Sequence, residues 1–462
     1  MKKISLILGA LLFSTLFYKQ DIGLNLALFS IISIIVLAIY NTKAFKQKGT
    51  IAFCMVSLIT ALAIFLYKSN LSIIANCIAF FTLIGHVSEH DSSIYINWLN
   101  GLYTFIAGFF HRNFNVIESQ EKVVSKKKID YLHWIKIIGI PVTVIIIFTL
   151  LYKDGNPMFK DIISEIDFGF INFQWLLFAS LGYYLLYNIS KPIQVNPATE
   201  IDLRTGNDLT NKGKLSIEVV KKENQLALVL IVLLNLLILF FLITDIAYLI
   251  SANDFRASSF SSQVHNGINA LIASIIIAIV IILYFFRGNL NFYKDNKNLK
   301  NVAYIWIILN TILVVNIVIK DCQYIYHFGF TYKRIGVLVY LLLTIIGLTT
   351  TAIKVKKIKN FWYLLRINTL TAFTILIVSC VINWDSYITT YNLYYAQSMD
   401  FKYLINLSNN NTFILKNYSD NVHLKESNKF EVDKKYRNYL FELKNNNWQE
   451  IHYDNFKIKQ KR

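Results

Sequence analysis

The chain has 462 residues, 55% of them hydrophobic and only 16% charged, with a formal net charge of +18. Soluble globular domains carry about 25% charge, whereas apolar residues here gather into blocks of roughly 15 to 25, enough to cross a hydrocarbon core about 30 Å thick. This excludes a soluble enzyme and a β-barrel, whose strands alternate over about ten residues; without a nucleic-acid-binding signature, the positive charge reads as lysines facing anionic lipid.

The start, MKKISLILGALLFSTLFYKQD, resembles a signal peptide but lacks a small-x-small cleavage site, so an uncleaved first helix is expected. Candidate spans follow at 4–18, 24–40, 50–67, 71–86, 95–110, 132–152, 169–188, 226–250, 268–286, 302–319, 335–352 and 361–382. The fifth is the weakest, with Asn97 and Asn100 inside it. Basic residues crowd the loops 111–131, 189–225, 287–301 and 353–360, which share the cytoplasmic side, while 153–168 is net acidic. Twelve spans place Lys2 and Lys3 against that trend. Dropping one of spans three to five gives eleven and removes the conflict. Either count leaves the C-terminal region outside the cytoplasm.

The span at 71–86 ends in HVSEH, which fits the H-x-x-E-H zinc pattern with His86 and His90 on one face and Glu89 as base. The competing reading is a membrane exit running into a polar loop, since no third ligand presents itself. Cys54, Cys77, Cys322 and Cys380 lie in or beside apolar spans without CxxC spacing and read as small buried hydrophobes. Asp245, inside LFFLITDIAYLI, costs about 2.5–3.5 kcal/mol to insert, so it either pairs or handles ions in the interior or reaches the interface. Asn235, Asn310, Asn316 and Asn368 are expected to hydrogen-bond between helices. Ser261, Ser262 and His265 precede span nine, but no acid completes a triad, and helix capping explains the serines.

In HFGFTYKRIGVLVY, Lys333 and Arg334 stand at a span entrance on the outer side, with Tyr324, Tyr326 and His327 close by. They are either interfacial anchors with an aromatic belt or a contact for an anionic headgroup, which Arg binds bidentately. From Trp384 the composition turns to Asn, Lys, Asp and Tyr, and the pattern predicts a small helical appendage over 384–462 resting on the spans of 1–383. Asp385 and Asp400 stand at expected helix starts.

Three segments resemble a bacterial family known as domain of unknown function 4153, with its sister family 4173. They are YHFGFTYKRIGVLVYLLLTIIGLTTTAIK, AYLISANDFRASSFSSQVHNGINALIASIIIAI and NWDSYITTYNLYYAQSMDFKYLINLS, within a family-like core of about 220–383 that the similarity overruns to about 410. The resemblance implies a multi-spanning bacterial membrane protein without an assigned activity. It makes Gly329, Thr331 and Arg334 candidates for a functional or structural hub, with Asn383, Asp385, Tyr391 and Asn392. Asp385 is then placed to pair with Arg334, unless Asn383 and Asp385 only cap a helix.

The expected fold is an all-α integral membrane bundle of 11–12 helices with a helical C-terminal appendage. The expected function is transport or lipid handling; the alternatives are a noncatalytic sensor or scaffold whose C-terminal region recruits a protein partner, and an intramembrane metallopeptidase. Membrane lipids are the expected partners. No nucleic acid, cofactor or catalytic residue is assigned.

Overall fold

The computed structural model describes residues 2–118, 172–211, 216–251 and 257–459, with scattered positions between 137 and 159; side chains at 113–118, 248–251, 257–270 and 459 lie outside the description. Most of the span expected at 132–152, and the charged residues of the loops on either side of it apart from Arg112 and Lys153, fall outside the described residues. Among those described the chain is α-helical, with no strand.

The first group of helices is α1 (Lys2–Phe17), α2 (Leu24–Tyr40), α3 (Lys48–Tyr67), α4 (Asn70–Ser88), α5 (Ile94–Glu118) and α6 (Phe173–Ser190). Leu6, Phe13, Leu37, Leu83 and Leu186 form its core. Helices in lipid gain most from close packing, which small residues permit. Gly85 and Gly101 do this between α4 and α5: a Cβ on either would collide with the carbonyl of Asn97 or Phe81.

After a short α7 (Ala198–Arg204) comes a second group: α8 (Ile217–Ser251), α9 (Ala257–Phe285), α10 (Lys297–Phe328) and α11 (Tyr332–Lys357). Their shared core includes Ile231, Ile275, Ile282, Leu313 and Leu341. Helix α12 (Phe361–Cys380) returns to the first group, packing Phe373, Ile377 and Cys380 against residues of α3, α4 and α5.

Six described helices are long and apolar enough to cross a membrane: α3, α4, α8, α10, α11 and α12. Helix α2 and the Leu271–Phe285 part of α9 are shorter apolar helices. Contacts fix which ends lie together. Tyr40 donates to the Lys2 carbonyl at 2.7 Å, Asn41 to Ser190 at 3.0 Å, Lys354 to Phe286 at 2.6 Å and Asn360 to Gly206 at 2.6 Å. Lys2, Lys3, Lys43, Lys46, Lys48 and the 353–360 turn therefore share one end of the bundle.

Helix α5 corrects the expectation of a span over 95–110. Residues 94–112 would extend about 27 Å at 1.5 Å per residue. Yet Arg112 donates to the carbonyls of Tyr187 (3.0 Å) and Lys191 (2.6 Å), at the end where α6 stops and α5 begins. The helix runs across that end instead of through the bundle. The fifth candidate span is therefore withdrawn.

At the opposite end sit α13 (Trp384–Tyr394), α14 (Phe401–Ile405), α15 (Thr412–Asn421), α16 (Glu426–Asn445) and α17 (Asp454–Lys459). Ile388, Leu404, Leu415 and Val432 form a core with Ile335 of α11. The segment before α17 reaches back to the first group: Leu24 N–H donates to Ile451 at 3.0 Å, and Tyr453 N–H to Phe65 at 2.9 Å.

Candidate functional site

The turn between α10 and α11 is where the sequence concentrated its signals, and the structure shows why. Helix α10 ends at Phe328, and Gly329 takes φ +75°, where a Cβ would also collide with the Asn392 side chain. Thr331 caps α11, its hydroxyl accepting the Arg334 N–H at 3.3 Å. The Arg334 guanidinium turns back to donate to the carbonyls of Phe328 (2.9 Å) and Gly329, and lies 4.1 Å over the Tyr324 ring. It satisfies carbonyls left open by the end of α10. Lys333, beside it, is exposed.

Helix α13 grips this turn. Asn392 bonds both backbone polar groups of Phe330, whose ring sits 4.6 Å from that of Tyr391. Asn383 caps α13, its side chain accepting the Ser386 N–H at 3.1 Å. Asp385 does not pair with Arg334. It is buried and accepts from the Tyr332 hydroxyl at 2.7 Å and from Ser408. Arg334 turns its Nη1 to carbonyls of its own turn and leaves its buried Nε unpartnered, while Asp385 is held by hydroxyls, so a hydroxyl clasp stands where the ion pair was expected.

Beside this clasp opens a cleft of about 530 Å3 with a mixed polar and apolar lining. Its walls are the α3–α4 turn with Lys68 and Asn70, the α12–α13 junction with Trp384 and Asp385, Tyr332, and the stretch Asn406–Ser408. The Lys68 ammonium stands 3.5 Å from Glu442. Behind the cleft, Lys435 donates to the carbonyls of Ile405, Leu407 and Ser408 and to Asn411 Oδ1, at 2.8–3.1 Å. Burial pulls its ammonium down to about 8, against the charge of Asp385.

Asp245 is an interior residue. Lys320 donates to its Oδ1 at 2.5 Å and Asn316 to its Oδ2, so α8 and α10 share an ion pair with 11% and 15% side-chain exposure. Asn235 also links these helices, donating to Val302 at 3.0 Å, and Asn368 accepts from Thr350 across α11 and α12 at 3.2 Å. Asn310 instead bonds within its own helix, to Trp306 at 2.8 Å. An apolar groove of about 390 Å3 lies between α8, α9 and α10, ending at Phe241 and Leu313, about one turn short of Asp245 and Asn316. His265 falls on α9, but its side chain lies outside the described residues.

The family model for a domain of unknown function, DUF4153, matches residues 4–418, which takes in both helix groups and the clasp. The chain belongs to this family. No curated protein and no solved structure matches it. The match reaches well before residue 220, so the first helix group of this DUF4153 protein is part of the family's design.

The zinc pattern does not assemble in this DUF4153 chain. Helix α4 stops at Ser88, so Glu89 and His90 leave its face. His86 is buried against the Phe53 ring at 4.9 Å, its Nε2 without a partner, while Glu89, His90 and Asp91 cluster at the surface without it.

Three groups escaped the sequence reading. Arg366 of α12 donates to Asp202 Oδ1 (2.9 Å), Asn207 (2.7 Å) and Ser93 (2.8 Å), while Tyr95 also donates to Asp202 at 2.6 Å. Burial pushes the Asp202 carboxyl up, but the hydrogen bonds from Tyr95, Ser93 and Arg366 outweigh it and hold the group below the usual range. Near the C-terminus, the buried Tyr439 hydroxyl donates to Asp454 at 2.7 Å and lies 3.0 Å from His452 Nε2. Asp321 is buried on α10 with Oδ2 unpartnered. Only Arg366, inside an apolar run, carried a local signal.

Proposed function

We propose that this is a lipid-handling protein of the bacterial cytoplasmic membrane, which admits an acyl chain from the bilayer into the groove between α8, α9 and α10. The groove is the observation that carries the reading. It is about 390 Å3, is lined by Leu237, Phe241, Ile277, Trp306 and Leu313, and approaches the Asp245–Asn316–Lys320 set. At hydrocarbon depth the abundant apolar molecule is a lipid chain, and an intramembrane ion pair is costly enough to mark a working site. The chain would lie along Leu237 and Phe241, with its polar end toward Asp245 and Lys320. The lysine-rich end supports a cytoplasmic placement and leaves the C-terminal region outside.

Photolysis of a phospholipid bearing a diazirine in its acyl chain tests this. Cross-links are expected to concentrate at 271–281 and 306–313. Labelling spread evenly over all lipid-facing helices would overturn the reading.

A second reading, recruitment of a protein partner, is favoured by α16. Its buried side carries Val432, Tyr439 and Leu443, while Phe430, Lys434, Arg437, Phe441 and Lys444 recur along the other side at i, i+4, i+7, i+11 and i+14, all exposed. Phe430 and Phe441 are 63% and 71% exposed. Rings alternating with cations suit an acidic amphipathic helix. The metallopeptidase alternative has no support from the positions of His86 and His90.

A further inference from the structure

We infer that the cleft beside Asp385 binds a polyhydroxylated group, a glycosyl or similar headgroup, at the membrane surface. Three observations carry this, none involving the acyl groove.

The first is the donor set. Asp385 is buried and its carboxylate already orients two hydroxyls, those of Tyr332 and Ser408. A carboxylate offers about four acceptor positions, so it retains capacity for a ligand hydroxyl. Asn70 and Asn406 line the same cleft, are exposed, and have no side-chain partner among the described residues, leaving amides that both donate and accept. A ligand bearing many hydroxyls meets such a mixture with each group satisfied.

The second is charge. Lys68 is the lining cation and faces Glu442 at 3.5 Å, and behind the wall the Lys435 ammonium stands against the charge of Asp385, so two cations meet two carboxylates. A phosphate or carboxylate ligand would confront at least as much negative charge as positive. A neutral polyol carries no such penalty.

The third is shape and place. About 530 Å3 is shared by the Lys68–Asn70 turn, the start of α13 and the Asn406–Ser408 stretch, with the rings of Trp384 and Tyr332 in the wall. Aromatic residues in the wall are of the kind that packs against the C–H face of a sugar ring. Helices α3 and α12, which bound the cleft, are long and apolar enough to cross a membrane. The cleft therefore opens where they emerge, at the depth of lipid headgroups, where Trp and Tyr are enriched.

The shared chemistry has two sources, a glycolipid headgroup or a free saccharide. The full-length protein, purified in a detergent without a sugar headgroup, is reconstituted into nanodiscs. One arm compares discs of phosphatidylglycerol alone with discs doped with a diglucosyl diacylglycerol; the other titrates a soluble glucose disaccharide. Hydrogen exchange at 67–71 and 383–410 reports occupancy. Protection by the glycolipid alone identifies a lipid headgroup, and protection by both or by the disaccharide alone identifies a saccharide site. In each case Asn70→Ala with Asn406→Ala, at exposed positions the fold does not use, is expected to weaken the response at least tenfold. The inference is overturned if neither sugar protects these segments, if phosphatidylglycerol alone does so equally, or if the double variant responds like wild type.

Discussion

Asn392 holds the backbone of Phe330 at both polar groups: its Oδ1 accepts the N–H at 2.6 Å and its Nδ2 donates to the carbonyl at 2.8 Å. The residue is buried, so removing it strands a backbone donor and acceptor in a partly buried place. Asn392→Ala is expected to cost about 1–3 kcal/mol for each stranded group. Thermal unfolding of the purified protein should show a clear drop in Tm. An unchanged Tm would mean that water replaces the clamp without loss.

Gly329→Ala should be worse than a helix substitution because it meets two obstacles. Its φ of +75° disfavours a side chain, and the new Cβ collides with Asn392. With ψ at 178° the backbone lies in a region essentially confined to glycine, and that penalty alone is about 1–3 kcal/mol. Combined with Asn392→Ala, the collision disappears and the backbone penalty remains, so the two losses should sum to more than the double variant shows. Additive losses in a double-mutant cycle would contradict the contact.

The pair formed by Asp245 and Lys320 should be more costly to halve than to delete. Lys320→Met leaves a carboxylate buried beside Asn316. Breaking a buried pair in this way costs about 3–5 kcal/mol. Replacing both, with Asp245→Leu and Lys320→Met, should recover much of the accumulated protein. Membrane-fraction yield and Tm measure this; a double variant no better than the single one would count against the pairing.

The sequence carried the membrane class, the helix entrances and the in-span Asp245, because apolar runs, caps and intramembrane charge are local signals. Asn383 caps a helix, one of the two roles weighed for it, whereas Thr331, expected only as part of a hub, also caps one. Partners were harder to see. Arg334 and Asp385 looked complementary as charges, yet the Arg334 Nη1 turns to carbonyls that appear only when α10 stops at Phe328, and Asp385 is taken by the hydroxyls of Tyr332 and Ser408. Lys320, at the edge of an apolar run, drew no reading from the sequence, and only the helix packing turns it toward Asp245. The knot of Arg366 with Asp202 joins residues 164 apart, and no local pattern announces a contact at that range. His86 kept its motif spacing but not its geometry, because the helix ends at Ser88, before the pattern is complete.

Acid should loosen the C-terminal segment through His452. The residue is buried with Nδ1 unpartnered, and burial first, then the charge of Lys68, lowers its pKa from 6.5. With the folded value below the unfolded one, the unfolded chain takes the proton first. Stability is therefore lost as pH falls below about 6.5 and stops falling at the folded pKa. Protection of the 447–453 amides, the ratio of intrinsic to observed exchange rate, should fall between pH 7 and pH 5. His452→Gln should remove that dependence; an identical profile in the variant would assign the effect elsewhere.

The most direct test of the central claim is native mass spectrometry of the protein after a delipidating detergent wash. Wild type is expected to retain a phospholipid-mass adduct. Ser274→Trp, which places an indole in the groove from an exposed position on α9, should lose that adduct while keeping the wild-type Tm. Equal retention by both proteins, or no retained lipid in wild type, would contradict a lipid-handling role for the groove.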